Sequence, residues 1–520
     1  RGGVNTTQLR VGATNVNCPC ADVDIFVPLT AETTQHLNQR LNDDTVIVGE
    51  KDTVGLEGMV DVPFVGLAEE LGNKLYANSV ATGFLSGIFS ISNTALEEAI
   101  KEHFSEKSED IVTQNIEAAQ KGYALVKEKD VKPPKAVPKP PQPENEMLIN
   151  GGQAVALGAL AGNCNLTCSY PMSPSTAVLT NMAEYSQTAD VLVEQTEDEI
   201  AAVNMALGAW YAGARALVTT SGGGFSLMCE GLSLAGMIET PLVVHLAQRP
   251  GPATGLPTRT EQGDLNLALY GGHGEFPRIL LAPGDLEEGF QLTQKAFNLA
   301  DKFQVPVIIL TDQYFVDSFY NIPMFDLQNV ENTAHIVTSD DDYKRFAFTE
   351  SGISPRSIPG NGTGLVNVDS DEHNETGYIT ENLAETRPKM DHKRAVLKAR
   401  TIREEVIPPT YIGPSEASHI VVAWGSTKKA LQEAVEKIDR SDLAILHFSQ
   451  VYPLPKNIDD YFGNAESIIT VEQNSSGQFT QLLEQHTGRT VKDKILKSNG
   501  LPFFSDELTD KLMTLLKEEK

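Results

Sequence analysis

Between residues 153 and 313 the sequence repeats one arrangement: a short apolar run, a turn, then a stretch of helical character. QAVALGALAG opens it, DVLVEQT leads into EDEIAAVNMALGAWYAG, and ARALVTTSGGG leads into FSLMCEGLSLAGM; PLVVHLAQ and PVIILTDQ follow. Strands this apolar have no face to offer to water, so they belong in a parallel sheet covered by helices on both sides. A doubly wound α/β fold of that kind gathers its ligands at the carboxyl ends of the strands. The residues just after each run are therefore the first place to look for chemistry.

The rhythm stops and restarts. From 327 to 415 the chain is polar, with GISPRSIPGNGTG and DSDEHNETG marking loops, and reads as a connecting segment. HIVVAWGS, KKALQEAVEKI, LAILHFSQVYPLP and SIITVEQNSSGQFTQLLEQH then describe a second, smaller α/β domain over 416–520. On the other side, VKPPKAVPKPPQPENE at 131–146 has the proline density of an extended linker. Ahead of it ADVDIFVPL and DDTVIVGE predict short buried strands, and FVGLAEELGNKLY and TALEEAIKEHF predict helices, making a small α/β unit of 1–130. At 520 residues, several domains are expected rather than one core.

Composition excludes more than it identifies. With 41 Lys plus Arg against 70 Asp plus Glu, a net charge of -29 repels phosphate backbones and anionic bilayers, so neither nucleic acid nor a membrane is an expected partner. The start lacks a signal-peptide pattern and no apolar run reaches membrane-spanning length, so a soluble chain is expected, and the cysteine usage points to a reducing cytoplasm. The five cysteines are an odd, scattered set; Cys18 and Cys20, and Cys164 and Cys168, lack the further ligands of a zinc or iron–sulfur site and read as structural thiols. No metal site is expected in the chain.

Four places offer chemistry. In VEQTEDEIAA, acids stand where a strand ends and a helix begins; Thr196 with Glu199 also satisfies the S/T-x-x-E capping box, so capping and a working carboxyl both fit. In TTSGGGF, Ser221 and Gly222 to Gly224 make either a tight turn or a loop whose backbone can approach a ligand closely. Arg249 ends the run PLVVHLAQ and opens a proline- and glycine-rich loop carrying Arg259, Glu261 and Asp264; an arginine there can clamp a carboxylate, or serve an interface. Tyr170 to Ser175, YPMSPS, is a stiff turn whose Ser173 hydroxyl can orient a substrate. The cluster Asp369, Asp371, Glu372, His373 and Glu375 fits no metal-binding spacing and reads as a solvated acidic loop.

Taken together, YPMSPS, QTEDEIAAVNMALGAWYAGARALVTTSGGGFSLMCEGLSLAGM, ETPLVVHLAQRPGPATGLPTRTEQGDL and GGHGEFPRILLAP resemble, in order and spacing, the alpha subunits of 2-oxoacid:ferredoxin oxidoreductases. The resemblance continues through DEHNETGYITE, KRAVLKAR, VVAWGSTKKALQEAV, FSQVYPLP and VEQNSSGQ, covering nearly everything after the linker. RGGVNTTQLRVG followed by DVDIFVPL is similar to the gamma subunit of the same enzymes from its middle onward, which implies a fused gamma domain whose glycine-rich opening is removed or carried elsewhere. Two motifs depart from the family: YPITP stands here as YPMSP, with Ser173 for threonine, and SGPGF as SGGGF.

The resemblance implies a pyrimidine-type thiamine diphosphate domain over 147–326 and a transketolase C-terminal-like domain over 416–520. It makes Glu199 the carboxyl facing the cofactor's pyrimidine ring, with Glu197 as the fallback, and places Tyr170, Pro171, Ser221 and Gly222 around the cofactor. It makes Ser173, Arg249 and Arg259 the substrate residues. It further implies oxidative decarboxylation of a 2-oxoacid, most like the 2-oxoglutarate branch, with coenzyme A receiving the acyl group and ferredoxin the electrons. A beta subunit would hold Mg2+, the diphosphate and a 4Fe–4S cluster in a hetero-oligomer such as (alpha-beta)2. A subunit of a non-redox thiamine enzyme and a noncatalytic scaffold are the alternatives.

Overall fold

The computed structural model describes residues 6–135, 145–463 and 465–518. The central part of the proline-rich linker, 136–144, and the opening RGG lie outside the described residues. The chain divides into two compact units, 1–143 and 144–520.

The first unit carries a three-stranded parallel sheet of β1 (Ile25–Phe26), β2 (Val46–Gly49) and β3 (Val60–Asp61) in that order. Its longest helices, Ala77–Ile88 and Glu109–Lys129, run against each other. Val48, Phe64, Val80, Phe84 and Ala118 form the core, with Phe64 and Phe84 edge to face at 5.8 Å. The two predicted strands and both predicted helical stretches are present, at Phe64–Glu70 and Asn93–His103 for the helices.

In the second unit, β4 (Glu146–Asn150) pairs antiparallel with β11 (Phe319–Pro323). The central sheet holds β5 (Leu166–Ser169), β6 (Leu192–Gln195), β7 (Ala216–Thr220), β8 (Leu242–Gln248), β9 (Ile279–Leu281) and β10 (Pro306–Asp312), all parallel. Every residue of β7, β8 and β10 is buried, the physical counterpart of their unbroken apolar character. A second sheet contains β12 (Thr410–Ile412), β13 (His419–Trp424), β14 (Leu443–Phe448), β16 (Ser467–Glu472) and β17 (Asp493–Leu496), ordered β12-β14-β13-β16-β17 with only β12 antiparallel.

Two features differ from the sequence reading. QAVALGALAG is helix, not strand: Asn150 and Gln153 form a reciprocal capping box that starts the helix Gly151–Ala161. Its apolar character comes from packing against the helices Leu286–Phe303 and Thr176–Tyr185 rather than from strand pairing. The FSQVYPLP segment is shared between layers, because β15 (Gln450–Tyr452) adds to the first sheet as an antiparallel edge beside β9. The two sheets accordingly feed one continuous apolar core. Among the described residues, no helix is long and apolar enough to cross a membrane.

Candidate functional site

The central sheet runs in the order β15-β9-β10-β8-β7-β5-β6. From β5 the chain steps out to the edge strand β6, then returns past β5 to β7, and this reversal opens a crevice over their carboxyl ends. β5 and β7 share a ladder only at Leu166 with Ala216 and Thr167 with Leu217. Beyond it the Thr219 N–H donates to the Ser169 hydroxyl at 2.8 Å, a side chain standing in for the missing strand partner. The candidates gather around this opening: Tyr170, Pro171 and Ser173 follow β5, Glu199 follows β6, Ser221 and Gly222 follow β7, and Arg249 follows β8.

Glu199 begins the helix Glu199–Tyr211 but does not cap it. Asp198 is the N-cap, its carboxylate accepting the Ala201 N–H at 2.8 Å, while the Thr196 hydroxyl donates to the Asp198 carbonyl at 2.9 Å. The capping box read between Thr196 and Glu199 does not form, because Asp198 occupies the cap position and leaves Glu199 inside the first turn. With 3% of its surface exposed, Glu199 points inward, and its Oε1 is buried without a hydrogen-bond partner. Burial raises its pKa, opposed by a backbone hydrogen bond and reinforced by the Asp198 charge. The fallback Glu197 is exposed and has no comparable surroundings.

The glycines after β7 serve close approach rather than chain reversal, since none of Gly222 to Gly224 has a positive φ. A Cβ on Gly224 would collide with Glu199 Oε1 and Thr220 Oγ1, and one on Gly222 would lie 2.5 Å from both carboxyl oxygens of Asp264. Two carboxyl groups thus press on one glycine run from different sides. Ser221 stands between the strand and these glycines with its hydroxyl buried and unpartnered.

Arg249 reaches across the opening, and its Nη1 donates to the Ser173 carbonyl at 2.5 Å, joining the ends of β8 and β5. Burial lowers its pKa while the Asp264 charge acts the other way, and a guanidinium in this range stays cationic at neutral pH. Asp264 is a site residue that the sequence reading left among the loop charges. Its N–H is held by Gln248 Oε1 at 3.0 Å and its Oδ2 is buried without a partner. Burial pushes its pKa up to about 6, with Glu261 adding to the rise and Arg249 opposing it. Nothing in the sequence separates it from Glu261, because its role depends on which strand end the loop returns to.

The remaining candidates are less enclosed. Tyr170 is 40% exposed, and Pro171, Met172 and Ser173 are half-buried. Arg259, half-buried in the same loop as Arg249, rests its side chain against Gly500. Cys164 and Cys168 are buried, their thiols pushed up to about 12 by burial, and belong to the core.

The DSDEHNETG cluster is not the solvated loop its composition suggested. Glu372 pairs with Arg387 at 2.5 Å and with Arg394 at 2.8 Å, Glu375 accepts the Phe348 N–H at 2.7 Å, and His373 is buried with its ring 3.9 Å from that of Phe346. Glu372 and Glu375 tie the connecting segment together by pairing with its own Arg387, Arg394 and Lys389, a pairing set by tertiary packing, while Asp371 stays exposed. Among the described residues no group of three or more His, Cys, Asp or Glu side chains is placed to hold a metal ion.

Comparisons with known proteins bear on the family and the fold. A family model described as pyruvate flavodoxin/ferredoxin oxidoreductase, thiamine diphosphate-binding, matches residues 157–393, and one described as pyruvate ferredoxin/flavodoxin oxidoreductase matches residues 1–125. The chain is 39% identical over 391 residues to the alpha subunit of 2-oxoacid:ferredoxin oxidoreductase 1 of Sulfurisphaera tokodaii, a match covering 71% of this chain and 61% of that one. It is 36% identical over 448 residues to the alpha subunit of enzyme 2 of Aeropyrum pernix, covering 81% and 69%. The chain therefore spans about three-fifths of the S. tokodaii subunit's length. Its fold matches 2-oxoglutarate:ferredoxin oxidoreductase from Magnetococcus marinus, solved with 2-oxoglutarate, coenzyme A and succinyl-CoA bound, with a TM-score of 0.86 and 30% identity over 96% of this chain and 89% of that one.

Proposed function

Because the chain belongs to the family of 2-oxoacid:ferredoxin oxidoreductase alpha subunits, we propose that it supplies one wall of a thiamine diphosphate site for the oxidative decarboxylation of a 2-oxoacid, with coenzyme A receiving the acyl group and ferredoxin the electrons. The observation that carries this reading is Glu199: a buried, unpartnered carboxyl oxygen held against Gly224. A lone carboxyl left so is costly to folding unless a ligand completes it. The residues fit the pyrimidine end of thiamine diphosphate, whose ring nitrogen would meet that oxygen, and the bare Gly224 is what lets the Glu199 carboxyl lie so close to the end of β7. When bound, this cofactor supplies the electron sink that allows a carbon–carbon bond beside a keto group to break.

Each residue of the chain has its task. Glu199, whose pKa burial raises, would present its carboxyl to the ring nitrogen, and that shift favours a proton on the carboxyl. Tyr170 and Pro171 line the entrance after β5, and Ser221 and Gly222 line the cofactor side after β7, where the absence of a side chain at 222 lets Asp264 close the wall. Arg249 binds the substrate carboxylate, and Ser173, whose carbonyl Arg249 already holds, presents its hydroxyl to the keto oxygen. The serine keeps the hydroxyl that the family's threonine provides. Arg259 receives the distal carboxylate of 2-oxoglutarate, the oxoacid bound in the M. marinus neighbour.

Within this reading, residues 1–130 are the gamma-like domain, 131–146 the linker, 147–326 the pyrimidine-binding domain, 327–415 the connecting segment and 416–520 the transketolase C-terminal-like domain. Mg2+, the diphosphate and a 4Fe–4S cluster reside in a beta subunit, in a cytoplasmic hetero-oligomer such as (alpha-beta)2. The deciding experiment is to purify the native complex and follow viologen or ferredoxin reduction with a panel of 2-oxoacids and coenzyme A. Coenzyme A-dependent reduction with 2-oxoglutarate as the best substrate is expected. Carbon dioxide release without dye reduction would identify a non-redox thiamine enzyme, and no turnover with any oxoacid would leave a scaffold.

A further inference from the structure

The loop from Arg249 to Asp264 leaves and rejoins the central sheet, yet half of it is held by the other sheet. Its first half folds on itself: the Leu256 N–H donates to the Pro250 carbonyl at 3.0 Å, and residues 251–256 are exposed. Its second half docks on the C-terminal α/β layer through Gln262, which is fully buried. The Gln262 N–H donates to the Gln473 carbonyl at 2.6 Å, and the Gln473 N–H donates back to Gln262 Oε1 at 2.9 Å. Gln262 Nε2 donates to the Trp424 carbonyl at 2.8 Å, and the Gln262 carbonyl accepts from Asn474 Nδ2 at 3.1 Å.

Both the backbone and side-chain polar groups of this one residue are thus engaged by strand ends of the second sheet. Asn474 is held in turn by the buried Glu472 carboxylate at 2.9 Å. A half-buried neighbour, Gln478, adds a lighter pair: its Nε2 donates to the Gly263 carbonyl at 2.8 Å and its Oε1 accepts the Asn266 N–H at 2.9 Å. The Thr260 N–H reaches the Gly500 carbonyl at 3.2 Å, next to the point where Arg259 rests. None of these groups faces the crevice at β5 and β7, yet they set the position of a segment that carries Arg249 at one end and Asp264 at the other.

Resting on the assignment of this loop to the substrate, we propose that the VEQNSSGQ segment of the C-terminal layer is the anchor of the substrate loop, with Gln262 a positioning residue that fixes where Arg249 and Arg259 stand for the oxoacid, while Asp264 keeps its hold on Gln248. A buried amide satisfied on every side tolerates no exchange of donor for acceptor. Gln262→Glu keeps the shape but sets an oxygen against the Trp424 carbonyl. The loop then loosens while the Glu199 wall, held by its own helix, stays in place.

The test compares wild-type, Gln262→Glu and Gln478→Ala chains in the native complex, measuring KM and kcat for the oxoacid, thiamine diphosphate affinity, and amide hydrogen exchange across 250–264. For Gln262→Glu the expected result is a KM raised ~10-fold with kcat within about twofold, unchanged cofactor affinity, and faster exchange confined to the loop. Gln478→Ala, which removes a half-buried pair and should fold whatever happens to the first variant, is expected to raise KM ~3-fold. A KM equal to wild type in the folded variants overturns the proposal, as does a cofactor affinity that falls in step with KM, which would mark general loosening. A wild-type complex that turns over no oxoacid instead defeats the functional reading on which the proposal rests.

Discussion

The two ends of the central sheet's surroundings handle buried carboxyl groups in opposite ways. Around the carboxyl ends of β6, β7 and β8, Glu199 Oε1, Ser221 Oγ and Asp264 Oδ2 are buried with no partner. Where the 327–415 segment packs, more charge is buried and its carboxylates are matched, while Arg356 Nε and His373 Nε2 stay unpartnered. Glu239 lies between Lys393 at 2.7 Å and Lys398 at 2.5 Å, and Asp301 lies between Arg215 at 3.0 Å and Arg356. The lysines hold the Glu239 carboxyl far below its ordinary range, whereas burial raises Glu199 and, against the opposing charge of Arg249, Asp264. Burial alone therefore marks neither function nor architecture. For the buried carboxyls, whether the chain itself completes them separates the two, because an incomplete carboxyl costs stability that a ligand can restore.

The contrast is broken or sharpened first at Glu199. In the native complex Glu199→Gln should lower turnover by ~10³-fold, about 4 kcal/mol of barrier, while leaving thermal stability unchanged or slightly higher. Turnover like wild type would remove Glu199 from the chemistry and with it the functional half of the comparison. Next comes Glu239→Ala, which strands Lys393 and Lys398 in the interior; a loss of about 3 kcal/mol or more in denaturant unfolding is expected. A loss under about 1 kcal/mol would show that water reaches the lysines and that the matched side is less rigid than its geometry implies.

Smaller effects refine the site. Arg259→Ala should raise KM for 2-oxoglutarate ~10-fold and leave pyruvate unaffected, since only the former brings a second carboxylate. Equal effects on both would move Arg259 from substrate recognition to loop structure. The smallest effect is at Asp264. Its folded pKa of about 6 lies above the ordinary value, so its ionisation opposes folding above about pH 6 and ceases to matter below the unfolded pKa near 4. Asp264→Asn should therefore raise the melting temperature at pH 7.5, by an amount that shrinks as pH falls through 6 towards 4. A gain that grows on acidification would place a paired, stabilising carboxylate there instead.

The sequence by itself determined the layers and the neighbourhood of the site. Apolar runs with no polar alternation dictated buried parallel strands at β7, β8 and β10, and acids, glycines and an arginine just beyond strand ends pointed to one rim of the sheet. These signals are local and periodic, so they survive in a linear string. The run QAVALGALAG shows their limit, for a helix with no exposed residue has no polar face to betray its period.

Tertiary structure alone decided which groups were left incomplete. Asp198 and Glu199 are adjacent acids at a helix start, and only the folded chain shows that the first caps while the second is turned inward without a partner. Asp264 and Glu261 are equally plain loop acids until Asp264 is laid against Gly222 near Arg249. The acids of DSDEHNETG look solvated until Arg387 and Arg394 arrive to pair with Glu372. In each case the deciding quantity is the distance to a partner remote in sequence, and electrostatic and hydrogen-bond energies depend on that distance rather than on residue type.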